Sequence, residues 1–117
     1  METFKVTRVY AGIDGESRFE EVEYPLTDGG LIGYLSDKVK LSNLIFRKVP
    51  SGYDDLHNAP QKQFVILLDG AVEIETSLQE KRTFEQGEIL LMDTTGKVHR
   101  SRNIRPVERS SLFILID

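Results

Sequence analysis

Short runs of β-type residues, each closed by a turn signal, constrain this chain more than any other feature of its sequence. From Val72 to Thr76, apolar or β-branched residues alternate with glutamates, which is the period of a strand with one buried face. No stretch repeats the apolar spacing of an amphipathic helix over ten or more residues. The pattern therefore predicts an all-β protein of roughly nine or ten short strands, arranged as a barrel or a sandwich.

The predicted strands are bounded by Gly, Pro or Asp residues. They cover residues 4–10, 18–24, 31–35, 41–49, 64–68, 72–76, 89–92, 98–102 and 111–116. Asp69 and Gly70 separate two of these runs, and an Asp-Gly pair in that position predicts a hairpin because glycine accepts a positive φ. One helical turn is predicted within residues 33–40.

Composition excludes several classes of protein. The 117 residues predict one domain covering 1–117, and 39% hydrophobic with 29% charged residues is typical of a folded chain. No apolar run approaches the ~20 residues of a membrane helix, and no signal peptide is visible, so we predict no membrane partner and a cytoplasmic location. The chain has no cysteine, which excludes disulfides and thiolate metal sites. A net charge of -4 argues against nucleic acid as a partner.

The chain has two histidines, His57 and His99, and each lies beside a turn at the edge of a predicted strand. Barrels place ligand-binding groups at such positions, where the strands open at the mouth of a cavity. We therefore expect the two imidazoles to converge in one pocket, although 42 positions separate them.

Two glycine-framed blocks surround the histidines, at residues 52–70 and 87–103. The first contains Gly52, His57-Asn58-Ala59, Gln63 and Gly70, and the second contains Gly87, Asp93-Thr94-Thr95-Gly96, His99 and Asn103. In order and spacing these blocks resemble the two motifs of the small single-domain cupins. The resemblance implies a double-stranded β-helix, the cupin or jelly-roll barrel, as a single domain over 1–117.

The ligand set of a metal-binding cupin is only partly kept. By the resemblance, a metal would be held by two histidines and a glutamate of the first motif and by the histidine of the second. Here Ala59 replaces one histidine, Gln63 replaces the glutamate, and Asp93 replaces a proline. The resemblance thus leaves His57, Gln63 and His99 as ligand-binding or metal-binding residues, for a divalent ion such as iron, nickel or zinc.

Three neutral ligands would hold such an ion weakly, because none of them offsets its charge. Asp55 shares the strand parity of His57 and could supply a carboxylate; alternatively, Asp54 and Asp55 are solvated turn residues. His57 and Gln63 would lie about 20 Å apart on one straight strand, so the chain must turn between them. Pro60 favours such a turn.

The basic residues near His99 have two interpretations. Lys97, Arg100, Arg102, Arg105 and Arg109 could form an anion-binding patch or a solvated face. If His99 and Ser101 face inward, alternation turns Arg100 and Arg102 outward, which favours the solvated face. The acidic residues Glu16, Glu20, Glu21 and Glu23 are likewise predicted to lie at the surface.

Three functions remain open. The first is a binding module that holds a small organic molecule, such as a carboxylate or sugar acid, in the barrel cavity. The second is a metal-dependent enzyme of the dioxygenase, isomerase or lyase type found among cupins, for which we predict no specific catalytic residue. The third is a structural or regulatory partner protein, which requires a large exposed apolar patch. A homodimer is expected by resemblance, because edge strands need covering.

Overall fold

The structure, a computed structural model, describes residues 2–57, 61–93 and 98–116. Over these ranges it contains twelve strands and one 3₁₀ turn at Gly30–Ile32. The strands are β1 (Thr3–Ala11), β2 (Ser17–Pro25), β3 (Thr27–Asp28), β4 (Tyr34–Leu35), β5 (Leu41–Val49), β6 (Asp54–His57), β7 (Gln63–Leu67), β8 (Ala71–Glu75), β9 (Lys81–Glu85), β10 (Ile89–Asp93), β11 (His99–Asn103) and β12 (Arg109–Ile116). The predicted all-β class is confirmed.

Two sheets enclose the core. The larger has the order β2-β1-β10-β7-β12-β5, and the smaller has the order β6-β11-β8-β9. Strands β3 and β4 form a separate two-stranded ladder. Strand β1 runs parallel to β10, with Thr7 opposite Leu90, and the remaining strand pairs of the described chain are antiparallel. This is the double-stranded β-helix that the motif blocks predicted.

The core lies between the sheets and follows the predicted alternation. Val72 and Ile74 are buried, whereas Glu73 and Glu75 between them are partly exposed. The core cluster takes residues from both sheets: Val9, Val65, Leu67, Val72, Ile74, Phe84, Leu90 and Met92. Full burial of a large aliphatic or aromatic side chain contributes about 1.5–3 kcal/mol, so these side chains account for much of the cohesion between the sheets.

The predicted hairpin at Asp69 and Gly70 is wrong. Strand β7 before the turn belongs to the larger sheet, and β8 after it belongs to the smaller sheet. Gly70 does have the positive φ that was expected, at 66°. A positive φ reverses the chain equally well within a sheet or between two sheets, so the Asp-Gly pair located the turn but not the partner strand.

Residues 31–40 also differ from prediction. Only Tyr34–Leu35 of the predicted strand is extended, because the preceding residues form the 3₁₀ turn. The helical turn predicted within 33–40 is wrong: Gly33 has a φ of 94°, and residues 36–40 have no regular structure. Strands β6 and β9 were not predicted, since each is short and mainly polar on its outer face.

Candidate functional site

The two histidines lie side by side at one end of the smaller sheet. His57 is the last residue of β6 and His99 the first of β11, and the antiparallel pairing of these strands sets them opposite each other. Their ring centroids are 4.6 Å apart, with the ring planes at 69°. The structure thus brings together the two imidazoles that the motifs predicted to converge.

His99 is the more deeply buried of the pair, with 1% of its surface exposed. Neither of its ring nitrogens has a hydrogen-bond partner in the described protein. Burial, with a further contribution from the charge of His57, lowers the pKa of His99 to about 4. The ring is therefore neutral at physiological pH, and its nitrogens are free to bond to a bound group.

His57 lies at the cavity wall and is partly exposed. Burial lowers its pKa, an effect that the carboxylate of Asp55 opposes and the charge of Arg47 reinforces. Asp55 Oδ2 is 3.3 Å from His57 Nδ1, which gives electrostatic attraction, but the two groups are not aligned as a hydrogen bond. His57 therefore also has a buried nitrogen without a hydrogen bond.

Asp54 and Asp55 do not lie in a solvated turn, since both belong to strand β6. Asp54 accepts hydrogen bonds from Arg100 Nε and Nη2 at 2.8 and 2.6 Å. Asp55 lies on the same face of β6 as His57, with its Oδ2 atom 3.3 Å from His57 Nδ1. Within the ranges that the structure describes, no three His, Cys, Asp or Glu side chains come close enough to hold a metal ion.

Gln63 begins β7, in the opposite sheet from the histidines. It is buried and has the parity of the core residues Val65 and Leu67, so it faces the interior. The described part of the cavity wall does not include it. The motif residues Ala59, Pro60, Thr94, Thr95, Gly96 and Lys97 lie outside the described residues.

A cavity of about 50 Å³ lies between the two sheets. The described wall consists of Arg47, Tyr53, His57, Val65, Leu67, Val72, Ile74, Leu90, Met92, Ser101, Arg109 and Phe113. Since a water molecule occupies about 30 Å³ of the liquid, this space suits a few heavy atoms. Most of the wall is apolar, with a few polar groups, which is the usual make-up of a small-molecule site.

The basic residues near His99 divide into two groups. Arg100 pairs with Asp54, and Arg102 Nε donates to Glu73 at 2.8 Å, both on the outer face. The solvated face predicted for these two is confirmed. For Arg109 that interpretation is wrong: it is 2% exposed and lines the cavity. Glu20, Glu21 and Glu23 lie at the surface as predicted, paired with Arg8 or Lys5.

Sequence reasoning did not consider Arg47 and Tyr53, and it favoured a solvated position for Arg109; all three belong to the cavity wall. Strand parity was the signal for two of them. Arg109 alternates in phase with Ser111, which is buried, and Arg47 alternates in phase with Val49. A charged residue that alternates in phase with core residues at the end of a strand is usually expected to lie in solvent. Here both arginines face the interior.

Comparisons with known proteins support the fold. No protein-family model matches the sequence, and no curated protein is significantly similar to it. A structure described as a predicted oxalate decarboxylase from Thermotoga maritima superposes with a TM-score of 0.52 at 16% identity, over 99% of this chain and 98% of that one. A conserved protein of unknown function from Streptococcus pyogenes gives a TM-score of 0.52 at 20% identity, over 71% and 69%.

A protein from Neisseria meningitidis gives a TM-score of 0.51 at 15% identity, over 69% of this chain and 84% of that one. At such identities the likeness establishes the fold alone. Together with the two-sheet topology, it shows that this is a small cupin-fold protein. Among the described residues, no helix has the length and apolar character needed to span a membrane.

Proposed function

We propose that the protein is a binding module whose barrel cavity holds a small organic molecule. Small carboxylates are the candidate ligands, since a sugar acid is too large for a cavity of about 50 Å³. One observation carries this proposal: the imidazoles of buried His99 and partly exposed His57 lie together beside an interior cavity and have ring nitrogens without hydrogen-bond partners in the described chain. Leaving a buried polar group unpaired costs about 1–3 kcal/mol. Bonds from a ligand or from ordered water would remove that cost.

The charge of the cavity favours a binding module over a metal centre. Its described wall contains two guanidinium groups, Arg47 and Arg109, and no carboxylate. A divalent cation in this space would meet two like charges at close range and gain nothing from an acidic ligand. An uncharged or anionic organic molecule avoids that repulsion.

A metal-dependent enzyme remains the second candidate, and the imidazole pair is the observation in its favour. Two imidazoles bound to one ion at about 2.0–2.1 Å bring their ring centroids to about 4.5–5.2 Å, and the observed separation is 4.6 Å. His57, His99 and, from the opposite sheet, Gln63 would hold the ion. It would supply a Lewis acid for reactions of the dioxygenase, isomerase or lyase type.

Metal analysis and ligand binding on one preparation decide between the two. The binding module predicts substoichiometric metal in freshly purified protein and saturable binding of members of a small-molecule library. It further predicts that His57→Ala weakens binding at least tenfold. Leu56→Ala is the matched control, because Leu56 is the neighbour of His57 on the outer face of β6 and is exposed.

One equivalent of metal that both His57→Ala and His99→Ala lose would instead establish the second candidate. A wild type that binds neither metal nor any library member would contradict both functions.

Cytoplasmic location is proposed on the sequence alone.

We further propose that the protein works as a homodimer joined through the outer face of the larger sheet. That face carries an apolar groove of about 380 Å³. Next to it, Leu44 and Phe46 on β5 are exposed, with Phe46 78% accessible, opposite Ile114 and Leu112 on β12. β5 is also an edge strand of the sheet. A second copy related by a two-fold axis would cover the apolar face and the strand edge together.

Light scattering after gel filtration tests the dimer. Phe46→Glu is expected to convert it to a monomer, whereas Leu56→Glu, which changes an exposed leucine of the smaller sheet, should leave it dimeric. A monomeric wild type at micromolar concentration would contradict the proposal. The exposed apolar face would then favour the structural or regulatory role, in which it binds a different partner protein.

A further inference from the structure

A buried arginine without an acidic partner marks the end of the cavity away from the histidines. Arg109 begins β12, opposite Val49, and is 2% exposed. Its Nε donates to Asn103 Oδ1 at 2.8 Å, a neutral acceptor. No carboxylate of the described residues forms an ion pair with it. Asp69 acts on it at longer range and accepts the backbone N–H of Ser110 at 2.6 Å.

A second guanidinium lies in the same cavity wall. The Cζ atom of Arg47 is 4.9 Å from the ring centroid of Tyr53 and 4.8 Å from that of Phe113. Arg109 lies over the same Tyr53 ring, with its Cζ atom 5.7 Å from the centroid. Burial lowers the pKa of Arg109, and the charge of Arg47 lowers it further. The two like charges are therefore close enough to repel each other.

Buried charges in proteins are normally paired, because an uncompensated ion in a low-dielectric interior is costly. The other interior-facing neighbours do not supply the missing charge, since the described cavity wall is otherwise neutral. Two guanidiniums held over one aromatic ring thus form a positively charged region enclosed by apolar walls. Such a region attracts an anion strongly, since little water competes for it.

The backbone near Arg109 is shaped to keep its side chain in place. Gly70 packs against the aliphatic part of Arg109 so closely that a Cβ added at Gly70 would lie 3.2 Å from Arg109 Cγ. With Asn103 bonded to Nε, the stem and the Nε edge of the guanidinium are held in place. A fixed guanidinium loses little freedom when an anion binds, which favours a built site over a chance accumulation of charge.

We propose that Arg47 and Arg109, which both contact the ring of Tyr53, form a subsite for the carboxylate group of a small organic acid. This rests on the proposed binding function and fixes the chemical class of its ligand. A guanidinium presents parallel N–H donors that match the two oxygens of a carboxylate. The cavity volume of about 50 Å³ suits a carboxylate with one or two further heavy atoms.

The test uses sodium acetate and its neutral isostere acetamide, added to wild-type protein in a carboxylate-free buffer with sodium chloride as the ionic-strength control. Binding is followed by calorimetry and by thermal unfolding. A four-atom ligand is expected to bind with a Kd on the order of millimolar, so the series should extend well above that. Acetate should raise the unfolding temperature in a saturable way, and acetamide should not.

The arginine variants assign the effect to the subsite. Arg47→Gln should weaken acetate binding at least tenfold, and Arg109→Met should abolish it. Arg82→Gln is the matched control, because Arg82 also lies over an aromatic ring, that of Phe19, but is exposed and does not line the described cavity. If Arg109→Met does not fold, Arg47→Gln against Arg82→Gln decides the question.

Equal acetate responses from wild type and Arg47→Gln would overturn the subsite. So would a response to sodium phosphate without one to acetate, which would show an anion site not made for carboxylates. If acetamide or another neutral molecule binds while acetate does not, this inference fails and the binding function stands. If nothing in the library binds, the binding function fails with it.

Discussion

The two ends of the barrel interior bury nitrogen groups of different character. At one end, the imidazole of His99 avoids the cost of a buried charge by staying neutral, since burial lowers its pKa to about 4. At the other end, Arg109 has no such option, because a guanidinium keeps its proton in proteins. The comparison teaches that burial, reinforced by the charge of His57, keeps the first end neutral, whereas the second end keeps a positive charge that no carboxylate of the described residues pairs with.

The largest expected effect is at the imidazole end. His99→Ala removes a fully buried ring and should lower the free energy of unfolding by about 3–5 kcal/mol, as for other large-to-small core changes. His99→Phe should lose less than about 1.5 kcal/mol, because it keeps most of the volume and removes two unpaired nitrogens. Urea unfolding measures both. A loss in His99→Phe as large as in His99→Ala would show that the nitrogens are bonded in the folded protein.

The second effect is the pH dependence of the same residue. His99 titrates near 6.5 when unfolded and about 4 when folded, so between these values the unfolded chain binds more protons. The free energy of unfolding should therefore decrease as pH falls from about 6.5 towards 4, by up to ~3 kcal/mol at about 1.4 kcal/mol per tenfold change.

The difference between wild type and His99→Phe across this pH range isolates the contribution of His99 from that of surface carboxylates. Parallel curves for the two proteins would mean that His99 has the same pKa in the folded protein as in the unfolded chain, and would remove the contrast between the two ends.

The third effect tests the guanidinium end through its glycine. Gly70→Ala places a Cβ at a φ of 66° and against the stem of Arg109. Gly15→Ala has the same kind of strain, at a φ of 80°, but its Cβ would meet nothing within 4 Å. Both should lose roughly 1–2 kcal/mol from backbone strain. Only Gly70→Ala should lose more and also weaken acetate binding; equal behaviour in both assays would show that Gly70 does not position Arg109.

The smallest expected effect is on the free energy of unfolding when buried Arg109 or exposed Arg100 is replaced. Arg109→Met should leave the free energy of unfolding unchanged or raise it by about 1 kcal/mol, because an unpaired buried charge is replaced by an apolar side chain. Arg100→Gln breaks an exposed ion pair and should leave the urea midpoint nearly unchanged. If Arg109→Met unfolds far more easily than Arg100→Gln, then Arg109 is a structural residue.

The difference between the two ends also explains what could be predicted from the sequence. Strand existence, the buried faces and the convergence of His57 with His99 followed from alternation and from two spaced motif blocks. Alternation is a local signal, and the motif blocks are characteristic of a known fold. Arg109 lies just before the predicted strand 111–116, so the alternation that puts it in phase with buried Ser111 was not applied to it. Residue type then misled, since arginines in a basic stretch are usually solvated.

The parallel pairing of β1 with β10 has a consequence for how the molecule forms. Thr7 lies opposite Leu90, so the first strand finds one of its two neighbours only after most of the chain has been made. Closing such a long loop costs chain entropy before the stabilising contacts form, which slows folding. All-β domains of this kind fold in roughly milliseconds to seconds. Until β10 pairs with β1, one edge of the β1–β2 ribbon is open and can pair with strands of other chains.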